Sequence, residues 1–173
     1  IMVDRNRKML IDYFKISIIP CAVSLIAFTG FVLPANADLS IKIDLRDRFL
    51  YLIDRNEDSV VIKGKYPIAI GDPKSPTPTG SFKIMRKENE PVYKNKAGKN
   101  YPPGPDSPVG SRLMTFHIVE KGEYSIHGTP WPAWVKTRAA VTGGCIRMLN
   151  KDIIYVFDNV KIGTIVNVTD SSK

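Results

Sequence analysis

Apolar and polar side chains alternate through Leu39-Ser40-Ile41-Lys42-Ile43-Asp44-Leu45 and, more loosely, through Phe49-Leu50-Tyr51-Leu52-Ile53. A period of two sends successive side chains to opposite faces of a strand, so the two runs predict a half-buried hairpin turning at Arg46-Asp47-Arg48. Arg55-Asn56-Glu57-Asp58 supplies the next turn, and Ser59 to Ile70, rich in Val, Ile and Tyr, predicts a third strand ending at Gly71-Asp72-Pro73. Three strands in so short a stretch imply an antiparallel sheet. Further strands are expected over Ser81 to Met85, over Leu113 to Val119 and Tyr124 to His127 on either side of Lys121-Gly122-Glu123, and over Thr164 to Val168. Helical spacing is scarce. Asn150 to Phe157 is the best candidate, with Asn150 as its cap and Ile153, Ile154 and Phe157 on one face. Many short strands separated by Pro- and Gly-rich turns predict a mainly β fold, a sandwich or barrel with one or two short helices. Glu88 to Ser111 has little periodicity. A stretch of that length predicts a long cleft-covering loop, with a disordered surface insertion as the alternative.

The chain opens differently. Arg5, Arg7, Lys8 and Lys15 precede an uncharged apolar run from Ile16 to Leu33, and Ala35-Asn36-Ala37 follows as a small-x-small site. This is the layout of a signal peptide over residues 1–37, cleaved after Ala37. An uncleaved anchor is the alternative, because the run is just long enough to cross a bilayer about 30 Å thick, and it would give a transient membrane attachment. Either way the rest of the chain is expected outside the cytoplasm, in the periplasm or cell wall. Residues 38–169 are then one domain with a single core, and 170–173 a short tail.

Charge adds a preference for partners. The chain has 25 Lys+Arg against 17 Asp+Glu. A basic exported domain suits an anionic surface such as a cell wall or lipid headgroups, although the charge can equally serve solubility. Nucleic acid is not expected, since export removes the chain from it and the basic residues follow no helix face. No metal is expected either, because two histidines and one cysteine outside the leader have no ligand spacing that fits zinc. No Gly-rich phosphate loop precedes a helix, and no cofactor is predicted.

The chemistry concentrates in Ile126-His127-Gly128-Thr129 and Thr142-Gly143-Gly144-Cys145-Ile146-Arg147-Met148. Cys21 lies in the leader, so Cys145 has no disulfide partner in the remaining chain, and a thiol after two glycines beside a histidine fits a nucleophile. Glycine lets the backbone approach a substrate, and the amides of Gly144 and Cys145 could converge on an oxyanion. His127 would lower the thiol pKa, with the carbonyl of Gly128 holding its other ring nitrogen. The plain alternatives are a buried cysteine acting as a small hydrophobe and a packed histidine. His117, mid-strand, is expected to be structural.

These two motifs, together with Thr77-Pro78-Thr79-Gly80, resemble the signature of the L,D-transpeptidase catalytic domain, the YkuD family, over Leu39 to about Val168. The resemblance implies an acyltransferase with a cysteine nucleophile. Cys145 would attack the carbonyl of the third residue of a peptidoglycan stem peptide and release the terminal D-alanine. His127 would be the base, and an acceptor amine would complete a cross-link in cell-wall organisation. Water in place of the amine would make the enzyme an L,D-carboxypeptidase. Carbapenem β-lactams are implied as inhibitors acylating Cys145. Arg147 would pair with a substrate carboxylate or form a structural salt bridge, and the Thr142 hydroxyl would position the loop. Trp131 and Trp134 would line the cleft or plug the core beneath it. One departure stands out: the family usually has Ser-His-Gly-Cys, and this chain has Gly143 at the histidine position. That leaves in doubt any contribution of the missing ring, and a catalytically impaired wall-binding module is a third possibility.

Overall fold

The computed structural model describes residues 38–56, 59–95, 97–120 and 122–170. The leader over 1–37, Glu57 and Asp58 of the second turn, Lys121 and the end of the tail lie outside the described residues. In chain order the elements are β1 (Asp38–Asp44), β2 (Phe49–Arg55), β3 (Val60–Pro67), β4 (Ile70–Gly71), β5 (Gly80–Lys83), β6 (Arg86–Asn89), β7 (Tyr93–Lys94), β8 (Asn100–Tyr101), β9 (Arg112–Val119), β10 (Gly122–His127), α1 (Pro132–Lys136), β11 (Ala140–Thr142), β12 (Ile146–Arg147), α2 (Asn150–Asn159) and β13 (Ile165–Thr169).

The alternation in β1 and β2 forms the expected antiparallel hairpin, with Ile41 opposite Leu52 and Ile43 opposite Leu50, all four buried. Its sheet runs β3-β2-β1-β13-β5, and a second sheet runs β12-β10-β9-β6. Ile41, Ile43, Leu50, Leu52, Val166 and Val168 from the first sheet meet Met114, Phe116, Ile126 and Ile146 from the second, and α2 adds Ile153 and Val156 to the same core. Burial of these faces is the main driving force for bringing the sheets together.

Four features depart from expectation. Neither sheet closes on itself, so the barrel alternative gives way to open sheets. The first sheet is mixed, because β13 pairs with β1 in parallel, and the predicted third strand splits, β3 staying in the first sheet while β4 pairs with β11. Asn150 does not cap α2: Leu149 occupies the cap position without a side-chain bond, and the Asn150 amide is used elsewhere. At the other end of the helix, Lys87 Nζ donates to the carbonyls of Phe157 (2.6 Å) and Val160 (2.5 Å), where terminal carbonyls lack partners within the helix.

Glu88 to Ser111 is better tied down than its composition suggests. β6 runs into it, β7 and β8 form a small hairpin with Tyr93 facing Tyr101 at 5.7 Å between ring centroids, and Ser107 and Val109 are buried.

Candidate active site

The period of two in the second sheet builds the site. Ile126 of β10 lies beside Ile146 of β12 in a parallel pair, and both are fully buried in the core. Their strand neighbours therefore lie on the opposite face, Ser125 and His127 from β10 and Arg147 from β12, and Cys145 directly precedes β12. His127 is paired with Arg147 in register. The pairing brings together two motifs that are well separated in the chain.

His127 is buried, and its Nδ1 lies 2.6 Å from the carbonyl oxygen of Gly128. A carbonyl only accepts, so Nδ1 carries the proton and Nε2 is left with the basic lone pair. Burial, reinforced by the Arg147 charge and opposed by the Gly128 bond, pushes the imidazole pKa down to about 4. At neutral pH the ring is uncharged.

Cys145 is partly buried, and its sulfur leans on the backbone carbonyl of Glu123 at 3.9 Å. Burial pushes the thiol pKa up, against opposing contributions from a Ser125 backbone bond and Arg147. This corrects the expectation of a thiol ionised by its neighbouring ring. A desolvated pair with neither member charged keeps the proton on sulfur at rest. Arg86 pairs with the Glu123 carboxylate at 2.7 Å, which offsets a negative charge that raises the thiol pKa.

The nucleophile turn is closed by its own hydroxyl. Thr142 Oγ1 donates to the Cys145 carbonyl at 2.6 Å and accepts the Gly144 N–H at 3.1 Å. The Gly144 amide is thus engaged within the turn, which corrects the expectation of two free amides converging there. Gly144 has φ +107°, and the Tyr124 ring occupies the space a side chain would need, so glycine is required for both conformation and room. Gly143 differs. It is exposed, and a Cβ there would meet nothing within 4 Å, so the missing family histidine leaves open space rather than a packing change.

Arg147 is held but unpaired. Its guanidinium carbon lies 5.2 Å from the Trp131 ring centroid and 5.0 Å from that of Trp134, within cation–π range. Nε and Nη1 are buried and make no hydrogen bond, and no carboxylate forms an ion pair with this side chain among the described residues. The structural salt bridge is therefore not formed. The tryptophans are 41% and 37% exposed, too open to be a core plug.

Two residues that the sequence analysis noted for other reasons, Asn150 and Thr77, serve as supports whose roles no sequence pattern revealed. Asn150 Nδ2 donates to the carbonyls of Pro105 (3.0 Å) and Thr129 (3.2 Å), and its Oδ1 receives the Ser111 N–H at 3.4 Å. It thereby ties the long loop to the segment after His127. Gly110 and Gly128 approach so closely that a Cβ on either would collide with the other's backbone or with Asn150. Asn150→Ala is expected to lower unfolding free energy by about 1–3 kcal/mol, since one exposed and two part-buried hydrogen bonds are lost together. Urea unfolding checks this, and an unchanged midpoint would refute it. The second support, Thr77, is taken up below. His117 is half-buried, stacked on Tyr124 at 5.8 Å and beside Phe82 at 4.8 Å, as a structural histidine should be.

Among the described residues there is no group of three or more His, Cys, Asp or Glu that could hold a metal, and no helix is long and apolar enough to cross a membrane.

Known proteins share this domain and its fold. The L,D-transpeptidase catalytic domain, YkuD, matches residues 38–168. ErfK/SrfK of Escherichia coli, named a probable L,D-transpeptidase, is 31% identical over 153 residues, covering 80% of this chain and 46% of that protein. YkuD of Bacillus licheniformis, provisionally named an L,D-transpeptidase, is 32% identical over 136 residues, covering 79% of this chain and 68% of that one. In structure, the Ldtfm–avibactam carbamoyl enzyme superposes with TM-score 0.59 at 27% identity over 78% of this chain and 49% of that one. A cysteine-to-serine mutant of the Enterococcus faecium L,D-transpeptidase gives 0.58 at 26% identity, over 76% and 50%. The chain spans about half the length of several proteins it matches. The match across residues 38–168, together with the relatives' shared fold, shows that the chain belongs to the L,D-transpeptidase catalytic domain (YkuD) family.

Proposed function

We propose that this protein is an exported L,D-transpeptidase that cross-links peptidoglycan stem peptides through a thioester on Cys145. The observation that carries the reading is the bond from His127 Nδ1–H to the Gly128 carbonyl, which leaves a neutral ring with Nε2 as a base on the strand that pairs with β12, directly after Cys145. Catalytic hydrogen bonds are often unformed in a free enzyme and tighten with substrate. Here the thiol turns from the Glu123 carbonyl towards the imidazole as the donor peptide binds. Nε2 takes the thiol proton while sulfur attacks the carbonyl of the third stem residue. The oxyanion is held by the Cys145 N–H. As the intermediate collapses, the imidazolium returns its proton to the leaving D-alanine nitrogen. An acceptor amine then attacks the thioester, gives its proton to Nε2 and forms the new amide, and the thiol is restored. Gly128 acts through the carbonyl that sets the tautomer, and Gly144 through the turn.

Arg147 fits a substrate carboxylate. Two buried guanidinium N–H groups without partners are costly, and a bound carboxylate would satisfy both. Trp131 and Trp134 hold the plane of the fork, Thr142 sets the turn, and open space at Gly143 widens the entrance. Arg147→Lys keeps the charge and loses the planar fork, so KM for the donor peptide is expected to rise about 10- to 100-fold with a smaller change in kcat. An unchanged KM would remove Arg147 from the binding site. The leader supports export to the periplasm or cell wall, and the carbapenems are the matching class of covalent inhibitor.

The direct test is incubation of the purified protein with tetrapeptide muropeptides followed by mass spectrometry. Cross-linked dimers with loss of D-alanine are expected. Tripeptide alone would indicate hydrolysis, and unchanged substrate would overturn the enzyme reading.

A further inference from the structure

Thr77 belongs to the segment after β4, 67 residues before the nucleophile turn it touches. It is buried, and its Oγ1–H donates to the carbonyl oxygen of Gly144 at 2.9 Å while the same oxygen accepts the N–H of Gly71 at 3.0 Å. One hydroxyl therefore joins β4 to the peptide immediately before Cys145. In a trans peptide the carbonyl of one residue and the N–H of the next lie in one plane and point in opposite directions. The described chain has no cis peptides. Whatever fixes the Gly144 carbonyl therefore also fixes the aim of the Cys145 N–H.

That amide has special weight here. The Gly144 N–H is engaged by Thr142 Oγ1, and the Cys145 N–H has no protein acceptor among the described residues. The turn is held on its other sides by β4. Asp72 N–H donates to the Thr142 carbonyl at 2.9 Å, and Ile70 N–H to the Ala139 carbonyl at 3.0 Å. Gly71 permits this contact because a side chain there would strike the backbone of Ser75 to Thr77. Thr142 thus sets the start of the turn, and Thr77 sets the orientation of its last peptide.

We infer that Thr77 is a positioning residue: its hydroxyl, bonded to the Gly144 carbonyl, aims the Cys145 N–H at the oxyanion of the acyl-transfer intermediate. The inference rests on the transpeptidase function proposed above. The role is specific to chemistry that passes through an oxyanion. Alkylation of the same thiol by iodoacetamide displaces iodide at a saturated carbon, with no oxyanion to bind. Acylation by a carbapenem opens a lactam carbonyl through a tetrahedral oxyanion. The two reactions share the thiol and differ in their need for the amide.

The experiment compares both rates at one pH, by intact-protein mass spectrometry, for the parent, Thr77→Val and Thr77→Ser. Thr77→Val removes the hydroxyl at nearly constant volume, and its imipenem acylation is expected to slow by about 10- to 100-fold, the scale of a sub-ångström to 1 Å misplacement. Its iodoacetamide rate should stay within about twofold of the parent, because this chemistry needs no oxyanion donor. Thr77→Ser restores both bonds and should acylate like the parent. Should Thr77→Val not fold, Thr77→Ala takes its place. Equal loss in both reactions, undiminished acylation without the hydroxyl, or failure of serine to rescue would each overturn the positioning role while leaving the proposed function standing. A parent alkylated by iodoacetamide but never acylated by imipenem would instead overturn the proposed function, and this inference with it.

Discussion

Cys145→Ser is expected to reduce acylation by imipenem and cross-linking of tetrapeptides to background, a loss of at least about 10³-fold, as nucleophile removal does in other acyl-transfer enzymes. The size follows from the electrostatics. His127 is a weak base, its pKa pushed down to about 4 by burial. It can assist a thiol, which is intrinsically nucleophilic and gives up its proton during attack, far better than a hydroxyl whose proton is held much more tightly. The drug-derived mass increase should appear on the parent and be absent from the variant. A serine variant that acylates as fast as the parent would exclude the thiol mechanism. Cys145 is the free cysteine among the described residues, so the adduct can be assigned by peptide mapping.

His127→Gln is expected to slow the same reaction by about 10²- to 10⁴-fold, the usual contribution of a positioned general base. It should also change the pH dependence. In the parent, the acid limb of kcat/KM should fall near pH 4, where the ring begins to protonate, rather than near its ordinary value of 6.5. The alkaline limb should lie above the ordinary thiol range, because burial raises the Cys145 pKa. Between the limbs both groups are neutral and the rate should vary little. An acid limb at pH 6–7 would show that the ring is solvated or paired in a way this structure does not contain. Stability carries the same signature. With its folded pKa below 6.5, the ring binds a proton more readily in the unfolded chain, so its contribution is fully present above about pH 6.5 and is lost as the pH falls towards 4. That loss is on the order of 3 kcal/mol for a shift of this size. His127→Gln should flatten that part of the stability profile, and a profile with the parent's slope would refute it.

Much of this protein is legible in its amino-acid order. The alternation of β1 and β2, the turn between them, the Val- and Ile-rich run of β3, the long strand β9, the strand ending at His127, and α2 are all local patterns, although α2 buries Ile153 and Val156 rather than the expected face of Ile153, Ile154 and Phe157. So is the pairing of a free thiol with two glycines and a histidine. The elements missed are short and lack a period of their own: β4, β7, β8, β11 and β12 have two or three residues each, β6 has four, and α1 has five. Their form comes from partners distant in the chain.

Composition and spacing thus determined a mainly β domain and the residue types able to carry acyl transfer, because side-chain alternation and the need for glycine act within a few residues. Tertiary structure decided the rest. The parallel pairing of β10 with β12 brought His127 alongside the segment that follows Cys145, and β13 closed onto β1 across nearly the whole described chain. Burial set both groups neutral, left Arg147 between two tryptophans without a partner, and carried Thr77 to the Gly144 carbonyl. Desolvation and long-range hydrogen bonds depend on what surrounds a side chain in space, and only folding brings those surroundings together.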